Sequence, residues 1–156
     1  MKSTMRREDQ ALTKEEAMGI LRDGEYGILS TTGPDNIPYG VPTNYALVGN
    51  TMYFHCTNQG SRKIDNIRYC DEVSFCVITE SEVVPKKFTA YYKSAIASGK
   101  ASIVEDNAEK EKGIIAMLEK YYPNDMESGK RLMDKMIDKV FVFKVDIDEV
   151  TGKANG

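Results

Sequence analysis

Residue types that mark several classes of metal or disulfide protein are scarce in this sequence. Its 156 residues contain no tryptophan, one histidine and three cysteines. The cysteines, Cys56, Cys70 and Cys76, have no C-x-x-C spacing, and His55 is the only histidine, so a zinc site is not expected. An odd number of cysteines does not favour a disulfide framework either. We therefore expect free cysteines that act as small hydrophobic residues.

An excess of basic charge and a long apolar run are also missing. Lys and Arg total 21 against 24 Asp and Glu, a formal net charge of −3, which argues against nucleic acid as a partner. No apolar segment approaches the roughly 20 residues that cross a bilayer, so no membrane partner is expected. The first ten residues have basic charge but no apolar stretch behind it, unlike a secretory signal. The sequence predicts a cytoplasmic enzyme or binding protein.

Length and composition predict one globular domain over residues 1–156. The chain is 41% hydrophobic and 29% charged, as in ordinary globular proteins, and it has no repeats or linkers. A capping box at Thr13 and Glu16 predicts a first helix, which Gly24 should end. Ser61 should begin a short second helix. A third helix is predicted over residues 107–121, followed by a fourth that carries Leu132, Met133, Met136 and Ile137.

The remaining segments have the alternation and turn residues of β-strands. They lie at residues 26–31, 39–48, 51–57, 72–79, 90–104 and 140–147. Six strands with short connections predict a mostly β protein, a six-stranded antiparallel barrel with peripheral helices, whose closure would remove exposed sheet edges. In the third strand, alternation separates Tyr53, His55 and Thr57 from the apolar face. Small residues around Gly99 in the fifth strand predict a close backbone approach, by a ligand or at a barrel corner.

The segment with the clearest chemistry follows the third strand. A glycine-containing turn leads to a helix start with two adjacent cations, Arg62 and Lys63. A helix N-terminus favours anions, and a guanidinium fork beside a mobile ammonium suits a terminal phosphate. The alternative is that both cations are solvated surface residues and that Ser61 only caps the helix.

These residues resemble a known family. Residues 57–63, Thr-Asn-Gln-Gly-Ser-Arg-Lys, are similar to the flavin-phosphate motif of the FMN-binding split barrels, the pyridoxamine 5'-phosphate oxidase-like superfamily. Within it, the sequence most resembles the branch of nitroimidazole-resistance proteins. Segments 26–31, 39–45, 53–56, 99–101 and 150–153 carry that likeness, which spans roughly residues 5–154.

The resemblance implies a single FMN-binding split-barrel domain and a set of cofactor contacts. The family assigns the phosphate to the helix start and the flavin to two strand ends, partly through backbone groups. The implied contacts are Ser61, Arg62 and Lys63 for the phosphate, and Thr43, Asn44, Tyr45, Cys56, Thr57 and Ser94 for the rest of the cofactor. FAD remains an alternative to FMN because the motif binds only a phosphate. The family also implies a homodimer with flavin at the subunit interface.

The implied activity is that of an FMN-dependent oxidoreductase, similar to nitroimidazole reductases. Electrons would pass from a reduced donor through FMN to a small acceptor such as a nitroaromatic compound. His55 is either the proton donor or a hydrogen-bonded structural residue. A true pyridoxamine phosphate oxidase is not expected, since no arginine follows Arg131 and no histidine follows His55. The alternatives are a non-catalytic flavin-binding, flavin-storage or redox-sensing protein, and a haem-binding split barrel with His55 as ligand.

Overall fold

A computed structural model describes residues 5–57 and 60–156 of the chain. Asn58 and Gln59 of the flavin-phosphate motif, and the first four residues of the N-terminal segment, lie outside the described residues. The strands are β1 (Gly27–Thr32), β2 (Pro38–Thr43), β3 (Ala46–Val48), β4 (Thr51–Thr57), β5 (Glu72–Val84), β6 (Thr89–Val104) and β7 (Val140–Asn155). The helices are α1 (Lys14–Asp23), α2 (Arg62–Tyr69), α3 (Asn107–Tyr121) and α4 (Met126–Met136), with short 3-10 helices at Glu8–Gln10, Pro85–Lys87 and Pro123–Asp125.

The strands form one antiparallel sheet in the order β2-β1-β5-β6-β7-β4-β3. The prediction of a mostly antiparallel β protein with peripheral helices is confirmed. The predictions of six strands and of a closed barrel are wrong, because the sheet formed by the described residues has seven strands and is open. The predicted strand 39–48 is interrupted at Asn44 and Tyr45, so that β2 pairs with β1 while β3 pairs with β4. Its two halves are therefore the two opposite edges of the sheet.

The interruption, which we call the seam (Asn44 and Tyr45), brings these edges together. Thr43 ends β2 and Ala46 begins β3, so three Cα steps of 3.8 Å limit their separation to about 11 Å. The sheet must curl for its opposite edges to approach this closely. The result is an open barrel. At the seam the chain passes directly from β2 to β3, but these two strands are not paired by hydrogen bonds.

The inner face of the curled sheet holds the main core, and aromatic rings fill its centre. Phe54 stacks on Phe143 with ring centroids 4.8 Å apart, and Phe75 meets Phe54 edge-on at 5.2 Å. Tyr45 of the seam is fully buried beside Phe75, with ring centroids 4.7 Å apart. The seam is thus attached to the core from inside.

Helix α1 closes one end of this core. Thr13 Oγ1 accepts a bond from the Glu16 N–H, and the Glu16 carboxylate accepts one from the Thr13 N–H at 2.8 Å, so the predicted capping box is confirmed. Gly24 does end the helix, but its φ of −64° is not left-handed. A side chain there would collide with Val77 and come within 2.5 Å of the Tyr45 hydroxyl. Close packing, rather than a helix cap, therefore requires this glycine.

The close approach predicted in the fifth strand occurs at a barrel corner. The register between β6 and β7 shifts at Ser98 and Gly99. A Cβ on Gly99 would collide with the carbonyl of Asp146 in β7. The small residue therefore lets two strands approach at a bulge, which bends the sheet.

The two faces of β4 divide as the alternation predicts. Met52 and Phe54 are buried in the main core. Tyr53 faces the other way and forms a second small cluster with Val104 and Val142, beneath α3. His55, two residues further along, lies on this outer face.

Candidate functional site

Helix α2 is held firmly against β1, which fixes the position of its basic first turn. Ile64 and Ile67 are buried, as the sequence predicts. Asn66 is also buried, and its side-chain amide donates a 3.0 Å hydrogen bond to Thr31 Oγ1. A side chain on Gly33 would collide with the Asn66 amide oxygen. This anchor, which the sequence analysis missed, lies one turn beyond Arg62.

Arg62 projects from the first turn of α2 onto the β1–β2 connection. Its guanidinium lies 4.5 Å from the centre of the Tyr39 ring and 3.4 Å from the Asp35 carboxylate. The side chain keeps 46% of its surface exposed. An exposed ion pair of this length adds little stability, so the guanidinium remains available to an anion.

Ser61 lies at the N-cap position of α2, but its side chain makes no capping hydrogen bond. Its Oγ atom is buried and has no partner within residues 5–57 and 60–156. A buried hydroxyl without a partner is unfavourable by about 1–3 kcal/mol, and most buried polar groups avoid this state. Ser61, Arg62 and Lys63, which we call the cation group, therefore offer a hydroxyl and two positive charges beside free helical N–H groups. This donor set fits a terminal phosphate.

His55 lies between the cation group and α3. Its Nδ1 atom is 3.2 Å from the Met117 sulfur, while the outer side of the ring is exposed. Partial burial beneath α3 lowers the pKa of His55, and the positive charge of Lys63 lowers it further. The imidazole is therefore neutral near pH 7.

A cavity of about 750 Å³ opens beside His55, between α3, α4 and the ends of β4 and β7. Most of its lining is apolar, and His55 and Asn44 are among the few polar side chains on its wall. The apolar lining comprises Ile114, Met117, Leu118, Tyr121, Tyr122, Leu132, Met133, Met136, Ile137 and Val140. Leu132 and Met136, which the sequence assigns to the fourth helix, remain 57% and 41% exposed at the cavity.

The seam is bonded to neighbouring segments. The Asn44 amide donates to the Glu25 carbonyl, and the Thr43 hydroxyl donates to the Asn44 carbonyl. The Tyr45 hydroxyl donates to the Leu21 carbonyl, so its side chain is a core residue. Any contact of Tyr45 with a cofactor would have to involve its backbone.

Two residues of α3 bind that backbone, and the sequence analysis missed both. The Tyr45 N–H donates to the Tyr121 hydroxyl at 3.1 Å, and Lys120 Nζ donates to the Tyr45 carbonyl at 3.0 Å. Burial lowers the pKa of Lys120 to about 8. Sequence signals for this role were weak, because a tyrosine and a lysine at the end of an amphipathic helix fit many surface positions.

Cys56 and Thr57 complete β4 immediately before the cation group. Cys56 packs partly into the main core, and burial raises the pKa of its thiol. Thr57 is exposed and pairs with Val140. Both residues therefore lie between the main core and the start of α2.

Ser94 is not brought near the cation group within one chain. The segment after α2 meets β6 at Ala101, whose N–H donates to the Asp71 carbonyl. Ser94 comes seven residues before Ala101 in β6, a separation of about 23 Å along the strand. It lies on the outer face of the sheet, between Ile78 and Lys153 of the neighbouring strands.

The described residues contain neither a disulfide nor a metal-binding cluster. All three cysteines are free, and no cluster of three or more His, Cys, Asp or Glu side chains that could hold a metal ion lies within 5–57 and 60–156. None of the helices in that part of the chain has the length and apolar character to cross a membrane.

The open antiparallel barrel with peripheral helices is consistent with the split-barrel fold. The chain belongs to the family described as pyridoxamine 5'-phosphate oxidase, whose sequence profile matches residues 13–154. The resemblance stated above is thereby confirmed. No curated protein sequence gives a significant match.

Solved structures with this fold cover most of the chain. A candidate 5-nitroimidazole antibiotic resistance protein from Bacteroides thetaiotaomicron is 23% identical, with a TM-score of 0.77, over 92% of this chain and 86% of the other. A flavocytochrome from Azotobacter vinelandii is 18% identical, with a TM-score of 0.83, over 98% and 72%. An FAD-binding protein from Mycobacterium smegmatis is 20% identical, with a TM-score of 0.66, over 92% and 96%. At these identities the likeness establishes the fold.

Proposed function

We propose that this protein is an FMN-dependent oxidoreductase that passes electrons from a reduced donor to a small acceptor such as a nitroaromatic compound. The cation group carries the proposal. A buried serine hydroxyl without a partner in the described chain, an available guanidinium and an ammonium meet at one helix start. Charge-assisted bonds from such groups are the strong ones in phosphate recognition.

The residues present suit the phosphate of FMN, and the family and the names of several structural neighbours support a flavin. When bound, the isoalloxazine ring would accept two electrons from the donor and release them to the acceptor. The chain's own contribution is to position that ring and to limit access of water. We propose that backbone groups of Thr43, Asn44, Cys56 and Thr57 lie along the ring.

His55 is the residue we propose for proton transfer. It lies on the wall of the apolar cavity, and its charge is sensitive to Lys63 of the cation group. A neutral imidazole can accept a proton at one ring nitrogen and release one from the other, so it can relay a proton without carrying charge at rest. Its contact with Met117 fixes the ring through Nδ1, which leaves Nε2 as the atom for a substrate.

We further propose a homodimer with the flavin between protomers. An outer patch, formed by Ile28, Cys76, Ile78 and Ile96, lies on adjacent positions of β1, β5 and β6. Ile78 is 60% exposed and Ile96 is 44% exposed, which is unusual for large apolar side chains side by side. Ser94 lies in this patch opposite Ile78. Association through the outer patch would place Ser94 near the flavin bound by the partner protomer, although Ser94 is far from the cation group of its own chain.

The deciding experiment is a comparison of cofactors followed by a turnover assay. The purified protein is titrated with FMN, FAD and haem, and the visible spectrum and affinity are recorded. We expect FMN to bind most tightly, and the loaded protein to oxidise NADH in the presence of nitrobenzene. Tight FMN binding without turnover with several donors and acceptors would favour a storage or sensing protein. A haem spectrum that His55→Ala abolishes would overturn the flavin assignment.

A further inference from the structure

The cavity beside His55 is large enough for a small organic molecule. Its volume of about 750 Å³ lies within the usual range of ligand pockets, roughly 300–1,000 Å³. Its walls come from α3, α4 and the ends of β4 and β7. These elements are fixed by helix caps and strand pairing, so the space belongs to the fold rather than to one loop.

The lining determines which molecules can enter. Three methionines, Met117, Met133 and Met136, contribute to it, and thioether groups make favourable contacts with aromatic rings. Its charged members are the carboxylates Glu25 and Asp125, and among the residues that the structure describes no lysine or arginine lines it. These carboxylates repel anions, and burying any unpaired charge against the apolar wall is unfavourable. The lining therefore favours a neutral, planar, apolar ligand.

Large apolar side chains at the mouth of this cavity are exposed to solvent. Leu132 is 57% exposed and Tyr122 is 66% exposed, although both line the space. Helix α4 separates apolar from polar residues more strongly than α1, α2 or α3, yet Met133 is its one buried residue. A planar ligand between α3 and α4 would cover this apolar surface.

We propose that the cavity between α3 and α4 binds a small, neutral aromatic molecule, which His55 orients from the wall. This inference rests on the proposed function, because the aromatic molecule in the cavity is taken to be the electron acceptor of that reaction. His55 offers one hydrogen bond to a polar substituent, and the methionine and leucine side chains contact the ring. Ser61, Arg62 and Lys63 are not among the described residues that line the cavity, and His55, which does line it, is close enough to Lys63 to feel its charge.

The test uses two isosteric probes, nitrobenzene and benzoate, which differ in charge. The protein is labelled with ¹³C at its methionine methyl groups, and spectra are recorded with and without FMN. Nitrobenzene should shift the signals of Met117, Met133 and Met136 at concentrations where benzoate shifts none of them. Met18 and Met52, which pack at the main core, serve as internal controls.

A variant at the cavity mouth supplies the second measurement. Leu132→Lys places a charge at an exposed lining position and should raise the nitrobenzene Kd by about tenfold or more, because it removes apolar contact area. Val83→Lys makes the same change at a position 73% exposed outside the cavity and should leave the Kd unchanged. If Leu132→Lys does not fold, Met136→Lys takes its place.

The outcomes separate this inference from the proposed function. Nitrobenzene shifts without any FMN binding would support the cavity and refute the flavin assignment. FMN binding with no shift of the three methionines at saturating nitrobenzene would overturn the cavity inference and leave the flavin assignment standing. It would also be overturned if FMN itself shifts these methionines and blocks nitrobenzene, since the cavity would then hold the flavin.

Discussion

Replacing Arg62 with alanine tests the cation group most directly. The guanidinium has an exposed 3.4 Å contact with Asp35 and lies over Tyr39, so its loss should change folding stability little. A charge-assisted hydrogen bond to phosphate contributes about 1.5–3 kcal/mol. The FMN dissociation constant should therefore rise about 10- to 100-fold, measured by quenching of flavin fluorescence.

Riboflavin, which lacks the phosphate, makes this test specific. Arg62→Ala should leave riboflavin affinity unchanged and so remove most of the preference for FMN. The matched control is Arg68→Ala, which removes an exposed arginine from the last turn of the same helix, where it lies over Phe141. Thermal melting of both variants verifies folding. Equal loss of FMN and riboflavin affinity, or an effect of Arg68→Ala as large as that of Arg62→Ala, would refute the phosphate assignment.

Three further substitutions test the seam, the core and His55. Tyr121→Phe removes the hydroxyl that binds the Tyr45 backbone and should lower the free energy of unfolding by about 1–3 kcal/mol. The control Tyr122→Phe changes an exposed ring and should not lower it. Equal melting temperatures of the two variants would contradict this role of Tyr121. Gly24→Ala should lower the free energy of unfolding by about 1–3 kcal/mol, because the added Cβ collides with Val77. Gly19→Ala, which has open space around it, should instead raise that free energy by about 0.5–1 kcal/mol. Urea denaturation measures the free energy of unfolding of both variants. Burial lowers the pKa of His55 in the folded protein, so the unfolded chain binds a proton first and stability is lost as pH falls through about 6.5. His55→Gln should flatten that pH dependence of the melting temperature without releasing flavin; an unchanged slope would show that other groups cause it.

The sequence was most informative where local chemistry decides structure. The Thr13 capping box and the bounds of α3 both follow from residues close in the chain, and they agree with the structure. The break at the seam could not be predicted in this way. Residues 39–48 alternate like one strand, and only the packing of Tyr45 into the core and its bonds to α3 divide it.

The candidate site shows the same division between local and distant determinants. The basic start of α2 could be predicted from the sequence because Ser61, Arg62 and Lys63 are consecutive. The anchor between Asn66 and Thr31 joins residues 35 apart, and the Met117 contact of His55 joins residues 62 apart. The residues next to Asn66 and Met117 in the sequence do not indicate these contacts, because an asparagine in a helix and a methionine in a core are ordinary residues at such positions.

The open barrel leaves two free strand edges, and each is poorly suited to recruit another strand. Strand β3 has only three residues, and β2 contains Pro38 and Pro42, which have no N–H to donate. Intermolecular β-addition, the common origin of fibrous aggregates, is therefore disfavoured at both ends of the sheet. Association of copies through side chains on a face is favoured instead, and it depends on how well the two surfaces fit each other.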